Sequence, residues 1–384
     1  MKEKIINSFK RILELKNIII PITMLMIIPS VASIIFRYEY INPQVTNIPT
    51  VIVNHDDTST TQTLVNQINT NEMFNVIFYS DNDDDVKKLI DEGKVAVGLI
   101  IPKDFYKDLI DGKAPKIMTF YDGAQLSLVS NARGKIAEVL GTIKASYLIS
   151  IGQGKLGIMP DISKNTVIPI QYNSKLIGNP TKNMAQYVVQ GLVLTIIQLG
   201  VVITGILLIN KEDKYKVIWI KGIIIALIGV FSTFSALTIQ YKYIGIPYRG
   251  SIKAAVVLTT LFNIGMTNFG IMLNILKKGD KVGAISLTGV VATTLMISGY
   301  TFPGMAMSNV MAEITKYVPF SHYVLLMRDL SLIGGSFENI IPEISWQLKF
   351  VIIMWIVTFL LYMKNKRYQK DQPMNNSDME VKVI

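Results

Sequence analysis

Few side chains in this sequence of 384 residues have types and spacings suited to chemistry. Cysteine is absent, which excludes disulfides, thiolate metal sites and cysteine nucleophiles. The two histidines, His55 and His322, are far apart along the chain and do not predict a histidine-rich metal centre. We therefore expect no catalytic residue and no metal site in this chain.

Three short polar patterns remain, and each has a simpler interpretation. The carboxylates at 81 and 83–85 lack the glycine turn and the distal glutamate of a calcium loop, which favours a solvated helix N-terminus. His55 and Asp56 have no G-x-S-x-G serine motif beside them, which favours a turn after a strand. The run 152–155 lacks the spacing of a phosphate loop. Without a Walker A motif, the chain is not predicted to hydrolyse ATP.

The composition indicates a membrane protein. Half of the residues are hydrophobic and 17% are charged, against about 25% charged in soluble domains. The mean hydropathy is +0.38. Six apolar runs are near or above the length that spans a bilayer. They are residues 18–36, 184–209, 217–240, 252–276, 282–300 and 346–363. The sequence therefore predicts one N-terminal span and five clustered C-terminal spans.

The positive charges predict the orientation of these spans. Lysine and arginine are concentrated in residues 1–16, 211–216, 277–281 and 364–370. They are sparse in 241–253 and 301–345. Because short cytoplasmic segments carry the excess of positive charge, both termini are predicted to be cytoplasmic. Residues 37–183 are then extracellular.

The polar segment 37–183 alternates between strand and helix patterns, which favours an α/β domain. Strands are predicted at 49–53, 74–79, 95–101 and 116–121. Helices are predicted at 58–70, 83–91 and 102–111, with a longer helical tract at 125–156. The expected fold is an α-helical membrane protein with six transmembrane helices and an α/β extracellular domain between the first two.

The predicted domains follow from these patterns. An amphipathic cytoplasmic or interfacial helix covers 1–16, with a simple charged flank as the alternative. The first span covers 17–36, the extracellular domain 37–183 and the remaining spans 184–363. Within the last region, 301–332 is predicted to be a re-entrant outer segment. Residues 364–384 form the predicted cytoplasmic tail.

Several stretches carry a resemblance to a known family. They are 51–57 (VIVNHDD), 96–102 with Phe105, 121–123 (YDG), 210–213 (NKED), 298–303 (SGYTFP) and 317–321 (YVPFS). In this order and spacing, the sequence resembles the permease subunit of a type-2 ABC exporter. The matching subgroup has a large extracellular domain after its first helix. The connector 211–216 is shorter and richer in lysine than in many members.

The resemblance implies a partner chain and a set of coupling residues. A separate ABC ATPase would bind ATP and Mg, so no cofactor is expected on this chain. A second permease copy, as a homodimer or a sibling heterodimer, would complete the transport path. The candidates for ATPase coupling are Lys211, Glu212, Asp213, Lys214 and Lys216. The other expected contact is membrane lipid of the bacterial plasma membrane, and no nucleic acid is expected.

Polar residues in the spans are candidates for the translocation path or for packing between helices. They are Gln186, Tyr187, Gln190, Gln198, Asn263 and Asn268. Lys221, one turn into the third span, is expected to extend towards the cytoplasmic interface. Pro303, Pro319 and His322 are candidates for an outer gate, with an interfacial structural role as the alternative for the histidine.

Two functions remain open at this point. The first is an ATP-driven exporter permease for amphiphilic or hydrophobic cargo such as lipid, drug or peptide. The second is a receptor or assembly factor for a secretion or cell-wall system, acting through the extracellular domain. A membrane-embedded enzyme is a third reading, but no catalytic constellation is present in the spans.

Overall fold

The computed structural model describes residues 19–39, 45–154, 183–335 and 337–371. The chain divides into two compact units. We call Gln44–Lys175 the sheet unit, and Met1–Pro43 with Leu176–Ile384 the membrane unit. The predicted helix 1–16 and the end of the tail, 372–384, lie outside the described residues. The predicted limits of the extracellular domain, 37–183, stay a prediction.

The first candidate span is Ile19–Glu39. It contains a π-helical stretch, Ile22–Ile27, followed by α1, Ile28–Glu39. Pro29 has no N–H to donate to the carbonyl of Leu25, four residues earlier. The hydroxyl of Ser232, from a later helix, donates to that carbonyl instead. A neighbouring helix thus satisfies the backbone group that the proline leaves without its usual donor.

Within residues 45–154, the described part of the sheet unit, four strands and four helices alternate. The strands are β1 (Ile48–Asn54), β2 (Phe74–Ser80), β3 (Val97–Ile101) and β4 (Met118–Tyr121). The helices are α2 (Ser59–Asn69), α3 (Asp83–Asp91), α4 (Phe105–Ile110) and α5 (Leu126–Gly154). Each predicted strand and helix is present in this region, with ends that differ by three residues or fewer.

The strand order is β2-β1-β3-β4. β1 pairs in parallel with both β2 and β3, while β3 and β4 are antiparallel. All five residues of β3 are buried, as the continuous apolar run predicts. One face of the sheet packs Ile52 and Leu99 against Leu64 and Ile68 of α2, and the other face packs against Val86 of α3.

The C-terminal part of the membrane unit consists of helices. They are α6 (Met184–Leu208), α7 (Tyr215–Ile239), α8 (Ile252–Leu276), α9 (Lys281–Ser286), α10 (Gly289–Ile297), α11 (Asn309–Thr315), α12 (Pro319–Leu332) and α13 (Ile341–Asp371). A π-helical stretch, Gln240–Ile244, extends α7. Within the described residues, five helices are long and apolar enough to cross a membrane: Ile19–Glu39, Ala185–Leu208, Tyr215–Ile244, Ile252–Leu276 and Ile341–Arg367.

The predicted single span at 282–300 is divided in the structure. Leu287 and Thr288 separate α9 from α10, and the whole apolar segment Lys281–Ile297 is shorter than a full span. The Thr288 hydroxyl donates to the carbonyl of Ile285 at 2.7 Å, a local bond that competes with regular helix. The count of six full-length transmembrane helices is therefore not reproduced within the described residues.

Close backbone contact holds α6 and α8 together. A Cβ atom added to Gly270 would lie 2.3 Å from the carbonyl oxygen of Val202, and one added to Gly205 would lie 2.9 Å from that of Thr267. Only glycine permits this approach. Because lipid tails are as apolar as leucine, helices in a bilayer associate by such close packing rather than by burying apolar surface.

The region predicted to be re-entrant, 301–332, contains one exposed and one buried helix. α11 has no buried residue. α12 buries Phe320, Tyr323 and Met327 in the core of the membrane unit. The Tyr323 ring stacks on Phe262 of α8 at a centroid distance of 4.1 Å. The second half of this region is thus part of the helical core.

Candidate functional sites in the membrane unit

Four consecutive carbonyl groups end α6: those of its last three residues and that of its C-cap, Ile209. Each accepts a hydrogen bond from a side chain of another element. Asn274 donates to the carbonyls of Ile206 and Ile209, at 2.6 and 3.2 Å. Two lysines complete the set. Lys281 donates to the carbonyl of Leu207 at 2.7 Å, and Lys221 to that of Leu208 at 2.9 Å. Such carbonyls have no partner within their own helix, and cations there also match the negative end of the helix dipole. We call this arrangement the α6 cap.

A buried ion pair belongs to the α6 cap. Lys221 Nζ lies 2.7 Å from Asp213 Oδ2, and the two side chains are only 9% and 8% exposed. The same carboxylate oxygen accepts from the backbone N–H of Asn210 at 2.9 Å. Lys221 thus extends to the connector at the predicted cytoplasmic end of α7, and a carboxylate and a carbonyl hold its ammonium group there in a buried position. The sequence feature that could have indicated this ion pair is Asp213, an acid eight residues before a lysine in an apolar run.

The cap brings together the two lysine-rich connectors that the sequence singled out. Lys281 also donates to Asn210 Oδ1 at 3.1 Å. A Cβ atom on Gly279 would lie 3.3 Å from Cβ of Lys211. The connectors 209–214 and 277–281 therefore form one surface, which we call the connector surface.

The five candidate coupling residues, four on this surface and Lys216 just beyond it in α7, differ in exposure. Lys211, Glu212, Lys214 and Lys216 are exposed, whereas the Asp213 side chain is buried against Lys221. The four exposed side chains are therefore accessible to a partner. Asp213 instead fixes the connector to α7.

Polar side chains near the start of α6 bond to other parts of the membrane unit. Gln186 Nε2 donates to the carbonyl of Gly245 at 3.2 Å. Gln190, which is fully buried, donates to the carbonyl of Met327 at 3.2 Å and to Ser331 Oγ at 2.8 Å. Gln198, further along α6, is also buried, and its Oε1 accepts from Thr294 at 3.4 Å. These amides join α6 to its neighbours.

A cluster of two tyrosines and one arginine lies beside these amides. Tyr187 donates to the carbonyl of Tyr300 at 2.9 Å, and the two rings stack at 6.0 Å. The guanidinium of Arg328 lies 5.3 and 5.1 Å from the two ring centroids, within cation–π range. Tyr187 is a candidate for the translocation path, but no sequence spacing links it to Tyr300 of the SGYTFP stretch or to Arg328, because the three residues lie far apart in the chain.

The two asparagine candidates on α8 differ in their surroundings. Asn263 is 1% exposed, and neither atom of its amide has a hydrogen-bond partner among the described residues. Its Oδ1 lies 2.9 Å from the position of a Cβ atom on Gly229. Asn268 is half-buried and donates to the carbonyl of Ile264 at 3.1 Å. Asn263 is thus enclosed by the helices of one chain.

The three candidates for an outer gate do not form one cluster of contacts. Pro303 is exposed, and Pro319 occupies the first position of α12, where its missing N–H costs nothing. His322 lies between Glu343 Oε2, at 2.5 Å, and the carbonyl of Lys316, at 2.8 Å. Its ring stacks on Trp346 at 4.0 Å. His322 therefore ties α12 to α13 and to the turn before α12.

The polar patterns of the sheet unit have structural partners. His55 Nε2 pairs with Asp83 Oδ1 at 2.7 Å rather than with Asp56. The Asp56 carboxylate accepts from the backbone N–H of Tyr106 at 2.7 Å. Among the described residues, no three His, Cys, Asp or Glu side chains are grouped as metal ligands.

In the sheet unit, the shifted pKa values belong to side chains in exposed ion pairs. Hydrogen bonds to Asp108 and Asp111 raise the pKa of Lys113, and a hydrogen bond from Lys94 lowers the pKa of Glu92. In the membrane unit outside the candidate spans, burial raises the pKa of Tyr248 to about 12. The pKa shifts of Lys113 and Glu92 thus come from exposed ion pairs, and that of Tyr248 comes from burial.

Comparison with known proteins identifies the family. The family model described as "ABC-2 family transporter protein" matches residues 17–363. The inner membrane transport permease YhhJ of Escherichia coli K12 is 21% identical over 278 residues, which cover 68% of this chain and 71% of the relative. No solved structure matches the chain.

Two further relatives in Escherichia coli K12 carry the name "probable multidrug ABC transporter permease". YbhS is 19% identical over 300 residues, covering 73% of this chain and 76% of its own length. YbhR is 20% identical over 332 residues, which cover 82% of this chain and 86% of YbhR. Permeases of this kind are membrane subunits, and a separate subunit hydrolyses ATP. The chain thus belongs to the ABC-2 family of transporter proteins, as a multi-pass permease subunit without ATPase activity of its own.

Proposed function

We propose that this permease subunit couples to its ATPase through the connector surface and exports amphiphilic or hydrophobic cargo. The ATPase binds ATP and Mg, and a second permease copy, identical or a sibling, completes the transport path. The plasma membrane of a bacterium is the proposed location, with both termini in the cytoplasm and residues 37–183 outside.

The observation that carries this proposal is the α6 cap. A partner that transmits force to a helix needs a rigid contact on the end of that helix. Here two connectors are fixed to the last carbonyls of α6 by Lys221, Lys281 and Asn274. A push on the exposed lysines of the connector surface would therefore act on α6 directly. Both connectors belong to segments whose positive charge predicts the cytoplasmic side.

The apolar spans and the names of two relatives support the choice of cargo. Within the described spans, Lys221 is the buried charged side chain of α7, and Asp213 neutralises it. Spans whose buried lysine is neutralised in this way suit amphiphilic or hydrophobic molecules better than ions. The relatives YbhS and YbhR are named as probable multidrug permeases. Lipid, drug and peptide cargo are all compatible with this chemistry.

The contacts also rank the six candidates for the path. Gln190, Gln198 and Asn263 are buried within one chain, and we assign them to helix packing. Gln186, Tyr187 and Asn268 are half-buried, so they are the better candidates for a surface that lines a path between two copies. Pro303 and His322 remain proposed parts of an outer gate, with Pro319 starting the helix that carries His322.

The test is recovery of an ABC ATPase with the tagged permease from cross-linked bacterial membranes. The test variant reverses three exposed charges: Glu212→Lys, Lys214→Glu and Lys216→Glu. It keeps Asp213, because removing that residue would damage the cap itself. We expect the ATPase at near-equal amount with the wild-type chain and a loss of at least about tenfold with the variant, since the contact would depend on these charges.

A control reverses two exposed charges at the ends of α7 and α8 that are remote from the connector surface, with Lys242→Glu and Lys253→Glu. This control should recover the ATPase as the wild type does. If neither the wild type nor the control recovers an ATPase, the coupling proposal fails. The receptor or assembly-factor function would then be the better account of this chain. If all three recover it equally, the ATPase docks elsewhere.

A further inference from the structure

A cavity lies at the connector surface. It has a volume of about 360 Å³ and opens between the connector after α6, the connector after α8 and the end of α13. This volume is within the range of small-molecule sites in proteins. Nothing in the coupling proposal requires a cavity here, because an ATPase could dock on the exposed side chains alone.

The lining of the cavity is basic. Four lysines contribute to it: Lys211, Lys214, Lys278 and Lys366. The two acids in the lining are Glu212 and Asp213, and Asp213 is paired with Lys221. The cavity therefore presents more positive than negative charge. An anion with several oxygen acceptors, such as a phosphate group, matches this lining.

The floor of the cavity is apolar. Ile209, Ile218 and Ile275 line it together with Tyr362, and these four side chains pack in one cluster. A basic rim over an apolar floor suits a ligand that joins a charged group to hydrocarbon. A free phosphate ion would use the rim only.

The aromatic side chains nearby indicate the depth of the cavity. Tyr215 contacts the rings of Phe359 and Tyr362 at 5.2 and 5.4 Å, and Trp219 contacts Trp355 at 5.3 Å. Tyrosine and tryptophan are enriched where the bilayer meets water. The cavity shares Tyr362 with this group of rings. It therefore lies at the level of lipid head groups.

Exposed apolar side chains continue from the cavity along α13. Phe359, Leu360 and Met363 are 44%, 61% and 38% exposed, and they lie within one turn of Tyr362. A lipid whose head group entered the cavity could lay its acyl chains along this face. Basic pockets between transmembrane helices on the cytoplasmic side are known to take anionic head groups.

We propose that this cavity binds the phosphate head group of an anionic phospholipid of the inner leaflet. Lys211, Lys214 and Lys366 contact the phosphate oxygens, and the apolar floor contacts the glycerol and the first acyl carbons. The proposal requires only that this end of the helices lies at a membrane surface. It does not depend on recruitment of an ATPase.

The experiment is native mass spectrometry of the full-length permease in detergent, without the ATPase. The probes are phosphatidylglycerol as the anionic lipid, phosphatidylcholine as the zwitterionic lipid, and inorganic phosphate. The test variant carries Lys211→Gln, Lys214→Gln and Lys366→Gln. The matched control carries Lys277→Gln, Lys364→Gln and Arg367→Gln, which removes the same charge from the same end outside the cavity lining.

We expect the wild type and the control to retain one phosphatidylglycerol with at least about tenfold preference over phosphatidylcholine, and the test variant to lose at least about tenfold in retention. Equal loss in both variants would overturn the proposal, because positive charge in general would then explain the binding. Displacement of phosphatidylglycerol by millimolar inorganic phosphate would assign the cavity to a free anion and overturn the lipid assignment.

Two checks keep the outcomes distinct. All variants must give the same elution profile and the same midpoint of thermal unfolding as the wild type. If the test variant misfolds, Lys366→Gln alone is used, since its side chain is on the exposed face of α13. If ATPase recovery depends on the cavity lysines while lipid retention does not, the cavity is part of the docking surface, and the lipid assignment is wrong.

Discussion

The membrane unit and the sheet unit use the same kinds of residue in opposite ways. In the sheet unit, large apolar side chains such as Leu64 and Leu99 fill the core, and the described ion pairs are exposed. In the membrane unit, α6 and α8 meet at Gly205 and Gly270, and the Lys221–Asp213 pair is buried. The solvent explains the contrast. Water drives apolar surface together, whereas lipid leaves close packing and hydrogen bonds to hold helices.

The contrast predicts that loss of a buried charged partner destabilises the membrane unit most, whereas truncation of a buried apolar side chain destabilises the sheet unit most. The glycines of the two units should also respond with opposite sign. Four substitutions test this, in order of decreasing expected effect.

Asp213→Ala should destabilise the membrane unit most, by about 3–5 kcal/mol, because it leaves the Lys221 ammonium buried without its carboxylate. The midpoint of thermal unfolding of the full chain in detergent should fall by several degrees. Glu212→Ala, at the exposed neighbour, should change the free energy of unfolding by less than about 0.5 kcal/mol. Equal effects at the two positions would contradict the buried pair.

Leu99→Ala should destabilise the sheet unit by about 2–5 kcal/mol, since it opens a cavity beside the central strands. Amide hydrogen exchange in β1 and β3 should accelerate, while exchange in α6 and α8 should not change. Faster exchange in both units at once would mean that they unfold together, and the comparison between them would lose its basis.

Gly270→Ala should destabilise the contact between α6 and α8 by about 1–3 kcal/mol. The added methyl group would meet the backbone carbonyl of Val202 at 2.3 Å, and a backbone atom cannot turn away as a side chain does. The midpoint of thermal unfolding in detergent is the measurement. An unchanged midpoint would show that the two helices are not held by this contact.

Gly141→Ala should have the smallest effect and the opposite sign. Gly141 lies within α5, and an added Cβ atom would meet nothing within 4 Å. Alanine is favoured over glycine in a helix by about 0.5–1 kcal/mol, so exchange of the α5 amides should slow. Destabilisation by this change would indicate that a surface of α5 is covered in the intact chain.

Local sequence signals predicted the sheet unit well. The helix 83–91 has the predicted limits, because Asn82 caps its first turn, aspartates follow at the positive end and Gly93 takes a positive φ just after its end. The apolar run 95–101 could be assigned to a strand, which the structure has at 97–101, because the run is short and bounded by turn residues. In both cases the deciding residues are neighbours in the chain.

The membrane unit shows where this kind of reasoning stops. Hydropathy located the spans but could not find the division at Leu287 and Thr288, since the apolar run continues from α9 through Leu287 into α10. It also could not anticipate the α6 cap, whose members Asn274 and Lys281 lie 65 to 74 residues from the carbonyls they bond. Long-range partners of polar groups are set by helix packing, which a single sequence does not reveal.

The α6 cap also bears on how the chain enters the membrane during synthesis. A lysine near the start of a span opposes insertion of a helix into the bilayer. Asp213 lies only eight residues before Lys221, so the carboxylate is synthesised just before the ammonium group that it neutralises. Asn274, near the end of α8, and Lys281 are synthesised later, and they donate to the remaining carbonyls of the cap once α8 is in place. Loss of Asp213 should therefore first lower the yield of correctly inserted nascent chains, before any finished bundle exists to be destabilised.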